Sequence, residues 1–529
     1  MNSRSVTIRG ASYPLVLPSV RDPRLHVAAV IISIHVLGQV GLHFQVSVPQ
    51  ILAAIITCAV IEVGLTFRQR RAFVWPASAM LTGSGVALIL RVVGTPANSP
   101  WDTDFWWVFA IVAGLSLLTK YVIRYRGSHV FNPSNIGLVV VFVLLGSSRV
   151  EPLDFWWAPL NGWMITAYAV ILVGGLLITR RLHLLSVAIT FWVAFAIGIG
   201  ILAGSGHCMT ARWAFAPVCG VDFWRVIVTS PEVLIFLLFM ITDPKTAPAG
   251  AVARVLFGLL VAILSTLLMA PQTNEFGAKV GLLAGLVILC AARPLLDRLM
   301  PEPSTAADDL RRFGARLLGA GVGSGFARAA ARLAAAALAG LVVGAGIVLA
   351  GTPARGLVVP DTAEILAQVP SQVDPATLPA ITVGQDVADF QHALAGAGMR
   401  AVVVTLAQNL ELENQALLRH DPTILTAVDH GDRLIEMQAR LQDASATGTT
   451  VVDHYSFDTI DVSLLVPFGR QDGLSLGLHA HGTVVEETYD ASGVLQGRTE
   501  SPFALTFAMR QALGDRWLNV AVLPISAGS

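Results

Sequence analysis

The chain has 529 residues, 54% hydrophobic and 13% charged, with 35 basic against 35 acidic side chains and a mean hydropathy of +0.67. A soluble chain carries about 25% charged residues, so most of this one is suited to lipid, and its zero net charge argues against nucleic acid as a partner. The four cysteines, Cys58, Cys208, Cys219 and Cys290, include no Cys-x-x-Cys pair, which argues against a self-contained iron–sulfur or zinc site.

In chain order, ten apolar runs of about 17–25 residues read as transmembrane helices. They lie near 25–45, 48–67, 74–93, 104–123, 131–147, 162–179, 184–204, 224–242, 250–270 and 276–292, and an Ala-rich eleventh lies near 331–351. The N-terminus does not read as a cleaved signal, because Arg4, Arg9, Arg21 and Arg24 precede a run of full spanning length. With the N-terminus in the cytoplasm, "RQRR" (68–71), "KYVIRYR" (120–126), "TRRLH" (179–183) and Arg293, Arg298, Arg311, Arg312, Arg316 and Arg328 all fall inside. Few basic residues, Arg149 and Arg212 among them, fall outside, as the positive-inside rule requires.

This gives an all-α polytopic membrane domain (1–299), a basic cytoplasmic connector (300–330), an eleventh helix (331–351) and an extracytoplasmic α+β domain (352–529). The setting is a bacterial cytoplasmic membrane. The outer loop "GHCMTARWAFAPVCGVDFW" holds Cys208 and Cys219, and an oxidising compartment permits a disulfide between them.

Two Pro steps stand out. In "RGSHVFNPSNIG" (126–137), Asn132 can cap a helix that Pro133 begins. In "FMITDPKTAPAG" (239–250), Asp243 and Pro244 are expected to do the same for the next helix. Capped helix mouths present free N–H groups and a positive dipole end, which suit anionic or carbonyl-rich groups. Each step alone reads first as a well-made turn between spans.

Together the two segments resemble RnfD and NqrB proteins, with their Phe-Asn-Pro and Thr-Asp-Pro steps, and "SAMLTGSGVALIL" (78–90) resembles the third helix of that family. The resemblance covers about residues 25–299. Within the family, "HVFNPSN", "EPLDFWWAPL" (151–160) and "ITDPKTAP" are most similar to RnfD-like proteins associated with enediyne polyketide clusters. The resemblance implies two five-helix halves in inverted orientation, a place among other membrane subunits of a redox complex, and flavin bound in the membrane. It draws a cofactor site from Thr82, Asn132, Pro133, Asn135, Asp243 and Thr246.

The departures are as informative. Classical members attach FMN covalently to a Thr in an outer loop. The comparable "SSRVEPLDFWWAPLNG" has no Thr, and Glu151 stands where the acceptor is sought. Covalent FMN is therefore not expected, and a non-covalent flavin, FMN or riboflavin, remains. Trp156, Trp157 and Trp163 offer flat walls for it, or form an interfacial aromatic belt. Among ionisable residues in the spans, Glu62 and Lys120 sit near helix ends, and Glu232 lies deeper. Glu232 reads either as a proton or cofactor contact or as an acid neutralised by a helix neighbour. His35 has no second His at haem-ligating spacing.

The tail carries helical periodicity and then four alternating runs, with turns at "DASG" (490–493) and "LGDR" (513–516). Helices followed by a meandering sheet resemble the NTF2-like cone, which implies a pocket for a small-molecule ligand. His479 and His481 share one strand face, as a metal pair or as surface residues. Two functions stand: a redox subunit with non-covalent flavin, or a non-redox transporter-like or accessory protein linked to enediyne-type secondary-metabolite biosynthesis or export.

Overall fold

A computed structural model describes residues 4–8, 11–42, 44–95, 100–153, 162–211, 214–303, 305–318, 326–356, 362–369, 373–390, 394, 396–465, 475–512 and 516–525. The chain divides into two compact units: Met1–Met209 with Val218–Leu357, and Thr210–Pro217 with Val358–Ser529.

The first unit opens on a hairpin, β1 (Arg4–Ile8) and β2 (Ala11–Val16), joined by β3 (Phe73–Val74). Its first helices are α1 (Pro23–Val40), α2 (Val48–Arg70), α3 (Ala77–Ile89), α4 (Trp106–Val122) and α5 (Pro133–Leu145). Four short strands, β4 (Leu90–Val92), β5 (Arg124–Tyr125), β6 (Ser128–His129) and β7 (Val150–Pro152), pair as β4–β7 and β5–β6. Next come α6 (Gly162–Arg181), α7 (Leu185–Gly204) and the hairpin β8 (Cys208–Ala211)–β9 (Ala214–Cys219), which a disulfide between Cys208 and Cys219 closes and whose residues Thr210–Pro217 belong to the second unit. Then follow α8 (Gly220–Thr229), α9 (Pro231–Ile235), a π-helical turn Phe236–Met240, α10 (Ala251–Met269), α11 (Glu275–Ala291) and α12 (Arg293–Leu299). The last helices are α13 (Leu310–Leu318) and α14 (Phe326–Ala350).

Seven helical spans among the described residues are long and apolar enough to cross a membrane, with Gly220–Met240 counted as one. The number is eight if the bent pair α11–α12 is one span, and α3, α4 and α5 are apolar but shorter. The expected run near 74–93 overshoots because its end is extended: Leu90–Val92 pairs with Val150–Pro152 instead of continuing the helix. The eleventh helix begins at Phe326, inside the segment read as connector.

Local chemistry sets the boundaries. Ser47 and Gln50 form a reciprocal capping box on α2, and Asn274 caps α11. The cap of α10 comes from the connector: Asp308 accepts from Ala251 N and Val252 N, at 3.0 Å each. Side chains of small volume let helices touch. A Cβ on Gly83 of α3 would come 2.4 Å from the carbonyl oxygen of Ala54 on α2, so only glycine allows that approach.

The second unit comprises α15 (Thr362–Gln368), β10 (Ile381–Val383), α16 (Gln385–Phe390), α17 (Ala397–Arg419), α18 (Pro422–Val428) and α19 (Gly431–Thr447). The strands β11 (Thr449–Leu465), β12 (Ser475–Asp490), β13 (Leu495–Gln511) and β14 (Trp517–Pro524) follow. They form a five-stranded sheet in the order β10-β11-β12-β13-β14, antiparallel except for the parallel β10–β11 pair. Met399, Val402, Leu406 and Leu410 of α17 pack on Ile460, Val462, Leu478 and Phe507 of the sheet. A second cluster gathers Leu417, Ile424, Leu425, Val428 and Met437. The turn at 491–494 matches the sequence reading, whereas 513–515 lie outside the described residues.

Buried polar groups lie beside these two clusters. Glu413 pairs with Arg433 through two hydrogen bonds and accepts from Asn519 Nδ2 at 2.7 Å. Asp429, 1% exposed, faces the same carboxylate, and neither of its oxygens has an N–H donor. A carboxyl–carboxylate contact is attractive only when one partner carries the proton. Burial first, and then the charge of Glu413, raises the Asp429 pKa well above the ordinary range. Burial works in the same direction on Glu413, but the Arg433 charge and the hydrogen bonds from Arg433, Asp429 and Asn519 together outweigh it and hold that group below its ordinary value.

A carboxyl whose pKa is raised by folding contributes stability below its unfolded pKa of about 3.9 and loses it as pH rises through the folded value. Opening of this region should therefore become easier as pH climbs above about 4. Asp429→Asn, which keeps the shape and supplies a permanent donor to Glu413, should flatten that slope. Hydrogen exchange of peptides covering 405–435, corrected for intrinsic rates, measures it. An unchanged slope in the Asn variant would show that Asp429 is not the proton-holding group.

Candidate functional site

The two Pro steps meet in space. Asn132 is the N-cap of α5: its Oδ1 accepts from Asn135 N at 3.3 Å and from Ser134 Oγ at 2.8 Å, and Pro133 takes the first turn. The rest of its amide reaches across the unit, with Nδ2 donating to Met240 O at 3.4 Å. Met240 closes the π-helical turn just ahead of Asp243. His129, at the end of β6, places Nε2 3.1 Å from Asp243 Oδ2. Asn135 Nδ2 donates to Leu283 O of α11 at 3.0 Å, while Asn135 Oδ1 is buried without a partner.

Asp243 does not cap the next helix as expected. It caps a single turn, accepting from Lys245 N at 3.0 Å through Oδ1 and from Thr246 N and Ala247 N through its carbonyl. Pro248 and Gly250 interrupt the chain before α10 starts at Ala251, and Asp308 supplies the cap there. Thr246 is fully buried and its hydroxyl donates to Asp243 O at 3.2 Å, so it belongs to the turn. Arg293 Nη1 fastens the same turn by donating to Lys245 O at 2.6 Å.

The remaining candidates lie elsewhere. Thr82 Oγ1 donates within α3 to Ser78 O at 3.2 Å. Two residues further on, Ser84 Oγ meets His35 Nε2 at 3.1 Å, which ties α1 to α3. Glu232 lies 3.0 Å from Lys279 Nζ, which also contacts Glu275 at 2.6 Å, so the neutralising helix neighbour exists. Glu62 is likewise paired, with Lys120 at 2.9 Å and the Tyr121 hydroxyl at 2.9 Å. Glu151 forms a salt bridge of 2.7 Å with Arg91, the two side chains 5% and 1% exposed. Trp163 rests against Gly41, and Trp156 and Trp157 lie outside the described residues.

In the second unit, His479 is held at both nitrogens, by Ser463 Oγ and Thr506 Oγ1 at 2.8 Å each, which leaves neither for a metal. Among the described residues no group of three His, Cys, Asp or Glu could hold a metal ion.

Sequence reasoning missed His129, Arg91, Lys279 and Asp308. Each acts on a partner distant in the chain. The available signal was the rarity of a charge inside an apolar run, which marks Arg91 and Lys279 as residues in need of a counter-charge.

As a site, this is a helix mouth, a π-turn and an acid held by a histidine, the order in which one structure could couple α5 to the turn before α10. Asn132→Ala should cost on the order of 1 kcal/mol for the cap alone. Asn132→Ala and Asp243→Ala together should be non-additive, because both act on one contact region. Thermal stability of the two single variants and the double variant in detergent measures the coupling; simple additivity would reduce the pair to separate turns.

No family model matches the chain, and no curated protein matches it.

Proposed function

We propose that the chain is an integral membrane subunit of an electron-transfer system, of the RnfD/NqrB kind, that holds a flavin without a covalent bond. The observation that carries this reading is the meeting of the Phe-Asn-Pro and Thr-Asp-Pro segments, 108 residues apart, through Asn132 Nδ2 and Met240 O. Two segments singled out by the resemblance thus lie together, as a single site requires. The reading is supported by a mirrored packing. Asn135, in the first turn of α5, reaches Leu283 midway along α11, and Phe276, in the first turn of α11, packs against Phe142 in the last turn of α5 with ring centroids 6.1 Å apart. In the same way α2 packs on α3 and α4 as α7 packs on α8 and α10. These equivalent pairings support a reading as two five-helix halves, with the short α3, α4 and α5 counted among ten spans.

The residues present support a non-covalent flavin over a covalent one. Asn135 Oδ1, buried and unpartnered, is an acceptor in need of a donor such as the flavin's ring N–H. Glu151, at the position of the missing Thr, is committed to Arg91. A bound flavin would supply the one- and two-electron chemistry. This chain's part is to orient its polar edge with Asn135 and the α5 mouth and to keep water from it.

A second reading, a non-redox transporter-like or accessory protein, draws on the same pair: with Glu151 in a salt bridge, the family's covalent redox station is replaced by structure. The proposed setting is a bacterial cytoplasmic membrane, with the second unit, of NTF2-like fold, outside and open to a small-molecule ligand.

Two measurements separate these outcomes. Protein purified in mild detergent should show flavin absorption near the usual flavin bands and release the flavin on denaturation. A colourless, folded protein that does not take up FMN or riboflavin would leave the non-redox reading. A reporter fused after Ser529 should be active only outside the cytoplasm; cytoplasmic activity would reverse the orientation read from the arginines.

A further inference from the structure

Strand β13 is longer than the strand beside it. Its C-terminal part, Leu505–Gln511, pairs with β14, whereas Leu495–Ala504 pairs with β12 alone among the described residues. From Leu495 to Pro502 every residue is exposed, on both faces of the sheet. An open edge of this length presents unmet N–H and C=O groups and is a template for another strand.

We propose that this edge pairs with the same edge of a second copy of the chain, antiparallel about a two-fold axis at Thr499. The orientation of the open peptide groups follows from Pro502. A proline sits in a sheet where its nitrogen turns away from the ladder, so the Pro502 nitrogen faces the open side. Register between Arg498 and Pro502 runs without a bulge. With period two, the peptide groups of Glu500 and Arg498 also face outward.

Charge then selects one register. Centred on Thr499, Arg498 lies opposite Glu500 of the second copy, and Glu500 opposite its Arg498, each a hydrogen-bonded pair with opposite charges. Moved by one step of two residues, either Arg498 meets Arg498 or Glu500 meets Glu500. A shift of one residue puts Arg498 and Glu500 out of step with the outward peptide groups. Opposite charges directly across an antiparallel pair stabilise it and like charges do the reverse. Within its own chain Arg498 is only loosely engaged, 3.8 Å from Glu487 with 62% of its side chain exposed. The interface is isologous, so it closes as a dimer and does not propagate.

Thr499 meets its own copy in a non-hydrogen-bonded pair, where Cα atoms lie about 4.5 Å apart, a separation a disulfide can bridge. The full-length Thr499→Cys protein, oxidised with copper phenanthroline in native membranes, should give a reducible dimer. Cys58 and Cys290 are buried and Cys208 and Cys219 are bonded, so they give little background. Ser492→Cys, at the exposed turn between β12 and β13, is the control and should stay monomeric. Adding Arg498→Glu to Thr499→Cys should lower the dimer yield about tenfold, and the swap Arg498→Glu with Glu500→Arg should restore it to within about twofold. A Thr499→Cys yield no higher than that of Ser492→Cys overturns the proposal, as does capture of a foreign strand in place of a second copy. So does a yield indifferent to charge reversal, or one that the swap fails to restore.

Discussion

A charge taken into an apolar interior must meet its opposite, and that constraint organises the first unit. Arg91 with Glu151, Lys120 with Glu62, and Lys279 with Glu232 and Glu275 each join segments distant in sequence, Glu275 to Lys279 excepted, and the His129–Asp243 hydrogen bond joins two more. Such pairs add little net stability, since desolvation offsets the attraction, but breaking one leaves a stranded charge at a cost of about 3–5 kcal/mol. Their effect is therefore on register. Arg91 sits on the extended end of α3 and Glu151 beyond α5, so the salt bridge fixes where both helices stop and why the β4–β7 pair replaces a last turn.

Those same pairs mark the boundary of what the sequence discloses. Apolar runs, Pro at helix starts and Asn or Ser caps are local, and they gave the helices near their observed places; Asn132 and Pro133 act as read. The long alternating strands β11 to β14 were equally legible. Asp243 was misread because its neighbourhood has the form of a cap and a Pro start, while Pro248 and Gly250 break the chain before a helix forms. The true cap, Asp308, comes from 57 residues beyond Ala251, and no local pattern announces it. Three-residue β10 is too short for periodicity to reveal. Partner choice is a property of the packed chain, and that is why residue types were readable and their partners were not.

The polar interior of the second unit follows the opposite logic. Glu413, Arg433, Asp429, Asn409 and Asn519 join α17, α18, α19 and β14 in one network. Asn409 donates to Trp517 O at 3.1 Å and Arg516 Nη2 to Asn409 Oδ1 at 3.2 Å. An apolar layer would tolerate α17 sliding by a turn on the sheet. A fully directional layer does not, because each displaced donor strands an acceptor in a dry interior.

The candidate membrane site is bound by the same reasoning. His129 already holds Asp243, and Asn132 already spans from its own helix to Met240, so a ligand at those groups meets atoms that also keep α5 and the π-turn together. Asn135 Oδ1 is different: it is buried, and its bond is unmade. A ligand that donates one hydrogen bond there leaves the existing contacts in place, whereas a ligand that displaces His129 from Asp243 loosens the tie between β6 and the turn before α10. Binding of the first kind leaves the helices where they are and suits a resident cofactor. Binding of the second kind moves α5 against α10 and suits a carrier. The two proposed functions thus differ at these ties: a carrier would break and re-form Asn132–Met240 and His129–Asp243 in each cycle, and a cofactor site would keep them.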